Sequence, residues 1–316
     1  MPAKQIGLPK IKSVVPIILV ACTGAVLSLF TYFHVGGMEA SQRSADFDRL
    51  AHDQTDAINA EVAATLALLR SLRGLFTATE NVTRGEFRAF VRSLEVNITV
   101  QALEWIPRVP LAKRAEYERQ AGAEGLPEFR FTERESQGVM VPAGRREEYF
   151  PVYFVEPLKG NKAAIGFDLE SNPVRLEALR KSRDSGDLVA SSRITLVQEK
   201  KNQYGFLVFM PIYRDEAATD RVADRRRKLA GFGLGVYRIA DLIEAALPKR
   251  HGETSDVRIF VFDETASSND RLLYPRGAER EAGLALESSL RFTRRIDHPR
   301  PASARGRQAS RSRRTR

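Results

Sequence analysis

The chain has 316 residues, 43% hydrophobic and 28% charged, which excludes a disordered polymer and leaves room for one large domain or two modest ones. Its net charge of +10 sits at the two ends: residues 290–316 contribute +9, the first twelve residues +3, and the body between them is near −2. That distribution argues against a basic groove and a nucleic-acid partner on the folded part. The single cysteine, Cys22, excludes an intrachain disulfide and a cysteine-based zinc site.

No Asp, Glu, Lys or Arg occurs from residue 13 to residue 38, and the core of that run reads VVPIILVACTGAVLSLFTYF. About 20 apolar residues cross a bilayer core, so the reading is a transmembrane helix over 13–35. Tyr32 and Phe33 suit an interfacial belt, and Lys4, Lys10 and Lys12 put residues 1–12 in the cytoplasm. The main domain is then expected outside the cytoplasm, periplasmic if the chain is bacterial and anchored by a single pass in the inner membrane. The competing reading is a cleaved signal peptide, whose apolar region is usually shorter.

Between Glu39 and Thr79 there is no proline. Apolar or small residues at Ile58, Val62, Thr65, Leu69, Leu72 and Phe76 alternate four and three apart, predicting a helical stalk over 38–80. The stripe has two uses, pairing with a second copy as a homodimer and docking on the chain's own domain. Thr83 and Glu86 then form a T-x-x-E capping box ahead of GEFRAFVRSL. A strand is expected at 100–109, a helix at 110–120, and a central strand in the aromatic run YFPVYFV at 149–155. Asn172-Pro173 starts a helix that Gly186 ends, and runs 193–198 and 205–213 read as a hairpin. The charged stretch 214–228 is read as a linker to a second unit, with a strand at 229–237, a helix at 239–247 and strands at 257–262 and from 272. Together these describe an α+β fold with antiparallel sheets.

Chemistry-bearing motifs are scarce. His34, His52, His251 and His298 have no ligand spacing, and no Walker loop, H-E-x-x-H or nucleophile elbow is present. GFGLG at 231–235 lacks the strand–turn–helix context of a dinucleotide loop and reads as a strand of small residues. No catalytic residue, metal site or cofactor is expected. Trp105 and the 149–153 aromatics are read as core, with pocket lining as the alternative.

The pieces LRGLFTATENVTRGEFRAFV, QALEWIPRVPLAKRAEYE, YFPVYFVEP, IGFDLESNPVRLEAL, RDSGDLVASSRITLVQE and GFLVFMPIY resemble the CHASE domain. CHASE is the extracellular sensory module of bacterial histidine kinases, nucleotide cyclases and plant cytokinin receptors. The resemblance covers about 71–214 and implies a long helix followed by two PAS-like domains. The membrane-distal one, at 71–214, would bind the ligand, and 228–289 would be membrane-proximal. It also implies a ligand-sensing receptor whose kinase or cyclase output is not in this chain.

Carried over by position, the aspartate that reads the adenine of cytokinin in the plant receptors falls on Arg175. Three further pocket positions fall on Ser191, Val197 and Phe209. Arginine reverses the charge and phenylalanine removes a polar contact, so the resemblance implies a ligand other than cytokinin, with an anionic group for Arg175. Arg175 pointing to solvent is the plainer alternative. Asp168 is either a pocket acceptor or a turn-capping residue. The Arg-, Ser- and Pro-rich tail at 290–316 reads as a frameshifted end or a basic disordered segment. Two other functions stay open: an exported anchored protein that binds a partner protein, and an anchored hydrolase.

Overall fold

In the computed structural model the described residues are 11–79, 81–94, 99–135, 138–197, 204–214, 219–247, 259–263 and 271–276. The expectations for residues 1–10, for the hairpin loop at 198–203, for 277–289 and for the tail at 290–316 lie outside them. The chain divides into two units, Met1–Gln54 and Thr55–Arg316.

Within the first unit, helix α1 (Ile11–Ala78) begins, and it continues into the second. Its described side chains at 18–34 are all exposed, among them Leu19, Val20, Leu27, Phe30 and Phe33. Among the described residues no helix is long and apolar enough to cross a membrane, so the span expected at 13–35 is without that support.

The second unit is built on a six-stranded antiparallel sheet. It joins β1 (Val100–Pro107), β6 (Phe154–Glu156), β7 (Val189–Ala190), β8 (Ile194–Thr195), β9 (Tyr204–Tyr213) and β10 (Leu229–Arg238). The order is β6-β1-β10-β9-β7, with β8 also on β9. Short strands pair off as side ribbons, β2 (Val109–Pro110) with β5 (Glu148–Tyr149) and β3 (Thr132–Arg134) with β4 (Met140–Pro142). The expected hairpin of 193–198 with 205–213 is present as β8 on β9. The helix expected at 110–120 is α3 (Arg114–Ala123), and the charged stretch 214–228 ends in a short helix, α5 (Val222–Lys228).

Two expectations need correction. Strand β10, expected to open a second unit, lies between β1 and β9 in the middle of the main sheet, because it pairs with β1, which is distant in sequence, as well as with β9. The run at 149–155, expected as a central strand, is split between a side ribbon and the sheet edge. It is buried throughout, but Pro151 has no N–H for a ladder, and the segment crosses over there.

Period-2 alternation sorts the core into two layers. Along β9, Val208, Met210 and Ile212 face one cluster while Leu207, Phe209 and Tyr213 face the other. The first layer is covered by the lower half of α1, through Leu66, Leu69 and Leu72, and by α2 (Arg84–Ser93) through Phe87 and Val91. The second is covered by α4 (Pro173–Ser185) through Ala178 and Leu179. The stalk stripe therefore docks on the chain's own domain from Ile58 to Phe76, with Leu69 and Leu72 fully buried. A third, smaller cluster joins Ile58 to α6 (Ile239–Ala246) and to the hairpin of β11 (Ile259–Phe262) and β12 (Leu272–Arg276).

On β10 the alternation takes an unusual form. Phe232, Leu234 and Val236 face α4, while Gly231, Gly233 and Gly235 face α1. A Cβ on Gly233 would lie 3.6 Å from Leu72, and the ring of Trp105 stands over Gly231. Phe76 stacks on Trp105 with ring centroids 4.0 Å apart, so the glycine stripe is the trough that brings α1 onto the sheet. Trp105 is thus core and not pocket lining.

The α2 start is as expected from its box. Thr83 Oγ1 accepts the Glu86 N–H at 3.2 Å, and the Thr83 N–H reaches the Glu86 carboxylate at 2.8 Å. This bonding holds the Glu86 carboxyl below its ordinary range. Thr83→Ala is expected to cost about 1 kcal/mol in a urea titration; an unchanged midpoint would mean that α2 is held by packing alone.

Candidate functional site

Helix α4 carries the candidate site. Asn172 caps it by accepting the Arg175 N–H at 3.2 Å, Pro173 occupies the first turn, and Gly186 ends it with φ of 80°. Arg175 therefore stands in the first turn, where the helix dipole disfavours a cation. Its side chain does not point to solvent: it is 5% exposed, and its guanidinium lies 4.7 Å from the centre of the Phe167 ring. One terminal nitrogen donates to the Thr195 carbonyl at 3.4 Å, whereas Nε is buried and has no hydrogen-bond partner among the described residues. Burial, the nearby Arg134 and the opposing pull of Glu104 leave its pKa at about 10, lowered but still charged at neutral pH.

Val197 and Phe209 border the same α4-side cluster. Phe209 is fully buried and meets Phe232 edge to face with centroids 5.8 Å apart. Ser191 is buried, but its hydroxyl accepts the Leu207 N–H at 3.0 Å and donates to the Ser192 carbonyl at 2.8 Å. It extends the β9 pairing and has little left for a ligand. Arg134 donates to the Val197 carbonyl at 3.2 Å and is exposed, which adds a second positive charge beside Arg175.

Asp168 is placed elsewhere. Its carboxylate accepts the Phe150 N–H at 2.8 Å and the Glu170 N–H at 3.3 Å, and it pairs with Arg146 at 3.3 Å. Burial raises its pKa, and these contacts oppose the rise. Of its two expected roles it takes the capping one, at the short 3₁₀ turn Leu169–Ser171.

Glu104 is a residue that the sequence motifs did not mark. It lies on β1 between Ala102 and Ile106, which both face α4, and it is only 2% exposed. Burial pushes its carboxyl up to about 8, against the attraction of Arg175. The signal was present as one acid in VQALEWIP at the parity of core residues.

A surface groove runs along the outer side of α4, lined by Leu176, Arg180, Lys181 and Val189 among others. It includes none of the five expected site residues. Among the described residues no cluster of three His, Cys, Asp or Glu side chains has the grouping of a metal site.

Residues 80–274 match the family model of the CHASE domain, well over half of the chain, and the chain belongs to that family. The match runs past the 214 expected from the motifs and takes in β10, as the sheet pairing requires, together with α6, β11 and the start of β12. CHASE is a sensory and not a catalytic domain. The chain is similar to hybrid signal transduction histidine kinase A of Dictyostelium discoideum, 24% identical over 262 residues, covering 81% of this chain and 12% of that protein. It is also similar to the germination-specific adenylate cyclase of the same organism, 25% identical over 167 residues, covering 52% of this chain and 19% of the cyclase. The chain thus spans less than a fifth of either relative's length.

Proposed function

We propose that this chain is the ligand-sensing domain of a membrane-anchored receptor, placed outside the cytoplasm, and that it binds a small anionic molecule through Arg175. The observation that carries the reading is a charged guanidinium sealed under α4 with an unpartnered Nε, inside the region matching a sensory family. A buried arginine without full hydrogen bonding costs free energy that a bound carboxylate would return. Val197 and Phe209 would form the apolar wall, with Arg134 at the entrance.

Anchoring through 13–35 is supported by the exposed apolar side chains at 18–34. Thr23 and Thr31 also return their hydroxyls to the Leu19 and Leu27 carbonyls at 2.8 Å, the bonding that a helix in lipid needs. Since α1 from Ile58 onward is committed to the domain, pairing with a second copy is assigned to the stalk ahead of it. The small cluster of α6 and the β11–β12 hairpin around Ile58 would serve as the membrane-proximal module. Output as a kinase or cyclase, as the names of the two relatives indicate for them, would come from a further segment or a partner protein.

A thermal-shift screen of small carboxylic acids and adenine derivatives on the purified chain tests the ligand reading. Acids should raise the melting temperature with concentration, because ligand that binds only the folded state stabilises it in proportion to the logarithm of its excess over Kd. Adenines should not. Arg175→Ala should weaken the acid by about tenfold or more, and unaltered affinity in that variant would sink the assignment.

A further inference from the structure

Three arginines meet the backbone segment formed by β8 and its flanking residues. From α4, Arg175 donates to the Thr195 carbonyl at 3.4 Å. From β3, Arg134 donates to the Val197 carbonyl at 3.2 Å. At its other end the segment sends out its own Arg193, whose guanidinium lies 4.3 Å from the centre of the Tyr204 ring. The same guanidinium donates to the Leu272 carbonyl on β12 at 3.0 Å. Residues 193–197 thus touch both the interior beneath α4 and the β11–β12 hairpin.

Their hold on the main sheet is slight. Only Ile194 with Gly205 and Thr195 with Tyr204 pair β8 to β9, whereas β9 and β10 pair along their whole length. Ile194 and Leu196 are seated in the α4-side core, so a shift of that core moves the segment against little ladder resistance. The Arg175 contact is at the long end of the hydrogen-bond range. A carboxylate takes a guanidinium at shorter range and more strongly, so the Thr195 carbonyl is readily given up. At the far end, the hairpin is a two-stranded ribbon that rests on α6 and Ile58. Such a ribbon has little stability of its own, and a hydrogen bond lost at its edge changes how often it opens. Resting on the reading of Arg175 as the ligand anchor, we infer that β8 is the sensor's internal relay. Engagement of Arg175 frees β8 from α4, and Arg193 passes the change to the β11–β12 hairpin. Arg193 is a positioning residue in this scheme, and Tyr204 keeps its guanidinium aimed at β12.

Hydrogen exchange of the purified full-length chain, read by mass spectrometry without ligand, tests the relay as a double-mutant cycle. Arg175→Met removes the donor to Thr195 and keeps much of the side chain's length. Exchange in this variant should rise about threefold or more in both β8 and the β11–β12 hairpin. In an Arg193→Ala background the same substitution should still raise exchange in β8 but leave the hairpin as it was. Arg193→Lys, which keeps a donor for the Leu272 carbonyl, should restore part of the transmission. Melting curves check that each variant is folded, and Arg175→Gln takes the place of Arg175→Met if that chain does not fold. A hairpin indifferent to the loss of the Arg175 donor, or affected equally with and without Arg193, overturns the relay. Because no ligand is present, that outcome leaves the carboxylate reading standing. Acids that fail to shift the melting temperature would instead overturn the carboxylate reading and leave the measured coupling in place.

Discussion

Stability should fall as the pH rises from about 5 to about 8, and Glu104→Gln should remove most of that fall. The buried carboxyl of Glu104 titrates at about 8 in the folded protein against an ordinary value of 4.5. Between those values the folded state keeps a proton that the unfolded chain has released. The native state then binds more protons than the unfolded one, so its stability decreases with pH. Below the ordinary value both states are protonated and the effect is absent; through about pH 8 the loss becomes complete. Each tenfold difference in proton affinity between the two states is worth roughly 1.4 kcal/mol, so a loss on the order of 2 kcal/mol by neutral pH is expected. Asp168 and Glu170 are also raised by burial and act in the same sense, which is why the comparison with the single variant is needed. Urea titrations of both proteins across the range provide the test; parallel pH profiles would show that the retained proton belongs to another group.

Gly231→Ala should be a severely damaging single-methyl change in the sheet, and Gly233→Ala a mild one. A Cβ at 231 would lie 2.3 Å from the Ile106 carbonyl oxygen and 2.9 Å from the Pro107 Cα, both backbone atoms of the neighbouring strand. Relief requires β1 and β10 to separate, and Trp105, at 2.8 Å, would lose its seat with the Phe76 stack above it. Two steps along the same stripe, a Cβ at 233 first meets the flexible end of Met210 at 3.1 Å. We expect about 3 kcal/mol or more for Gly231→Ala and less than about 1 kcal/mol for Gly233→Ala. Equal costs would mean that the stripe acts through backbone entropy and not through close approach. Because the lower part of α1 rests on this stripe, protease cleavage near Ile58–Phe76 should rise in Gly231→Ala and not in Gly233→Ala.

Local chemistry was readable along the chain wherever one short segment contains the whole interaction. The Thr83–Glu86 box, the Asn172-Pro173 start, the Gly186 stop and the 58–76 stripe each depend on neighbours within a turn or two, so spacing alone reveals them. The family resemblance was readable for a related reason, since its motifs follow those elements in order. At the site, the resemblance pointed to Arg175, Val197 and Phe209, which line one interior. It also pointed to Ser191, and the reading of the residues to Asp168, whose polar atoms the backbone and Arg146 engage.

What the amino-acid sequence determined by itself was the class of fold, the start of α2 and both ends of α4, the docking stripe of the stalk and the membership in a sensory family. Only the tertiary structure decided that β10 enters the main sheet, that 149–155 divides around Pro151, and that Arg175 is buried against Phe167. The physical reason is one of range. Strand pairing and desolvation are set by residues tens to more than a hundred positions apart, as with Trp105 opposite Gly233, and periodicity within a segment contains no information on which partner it will meet.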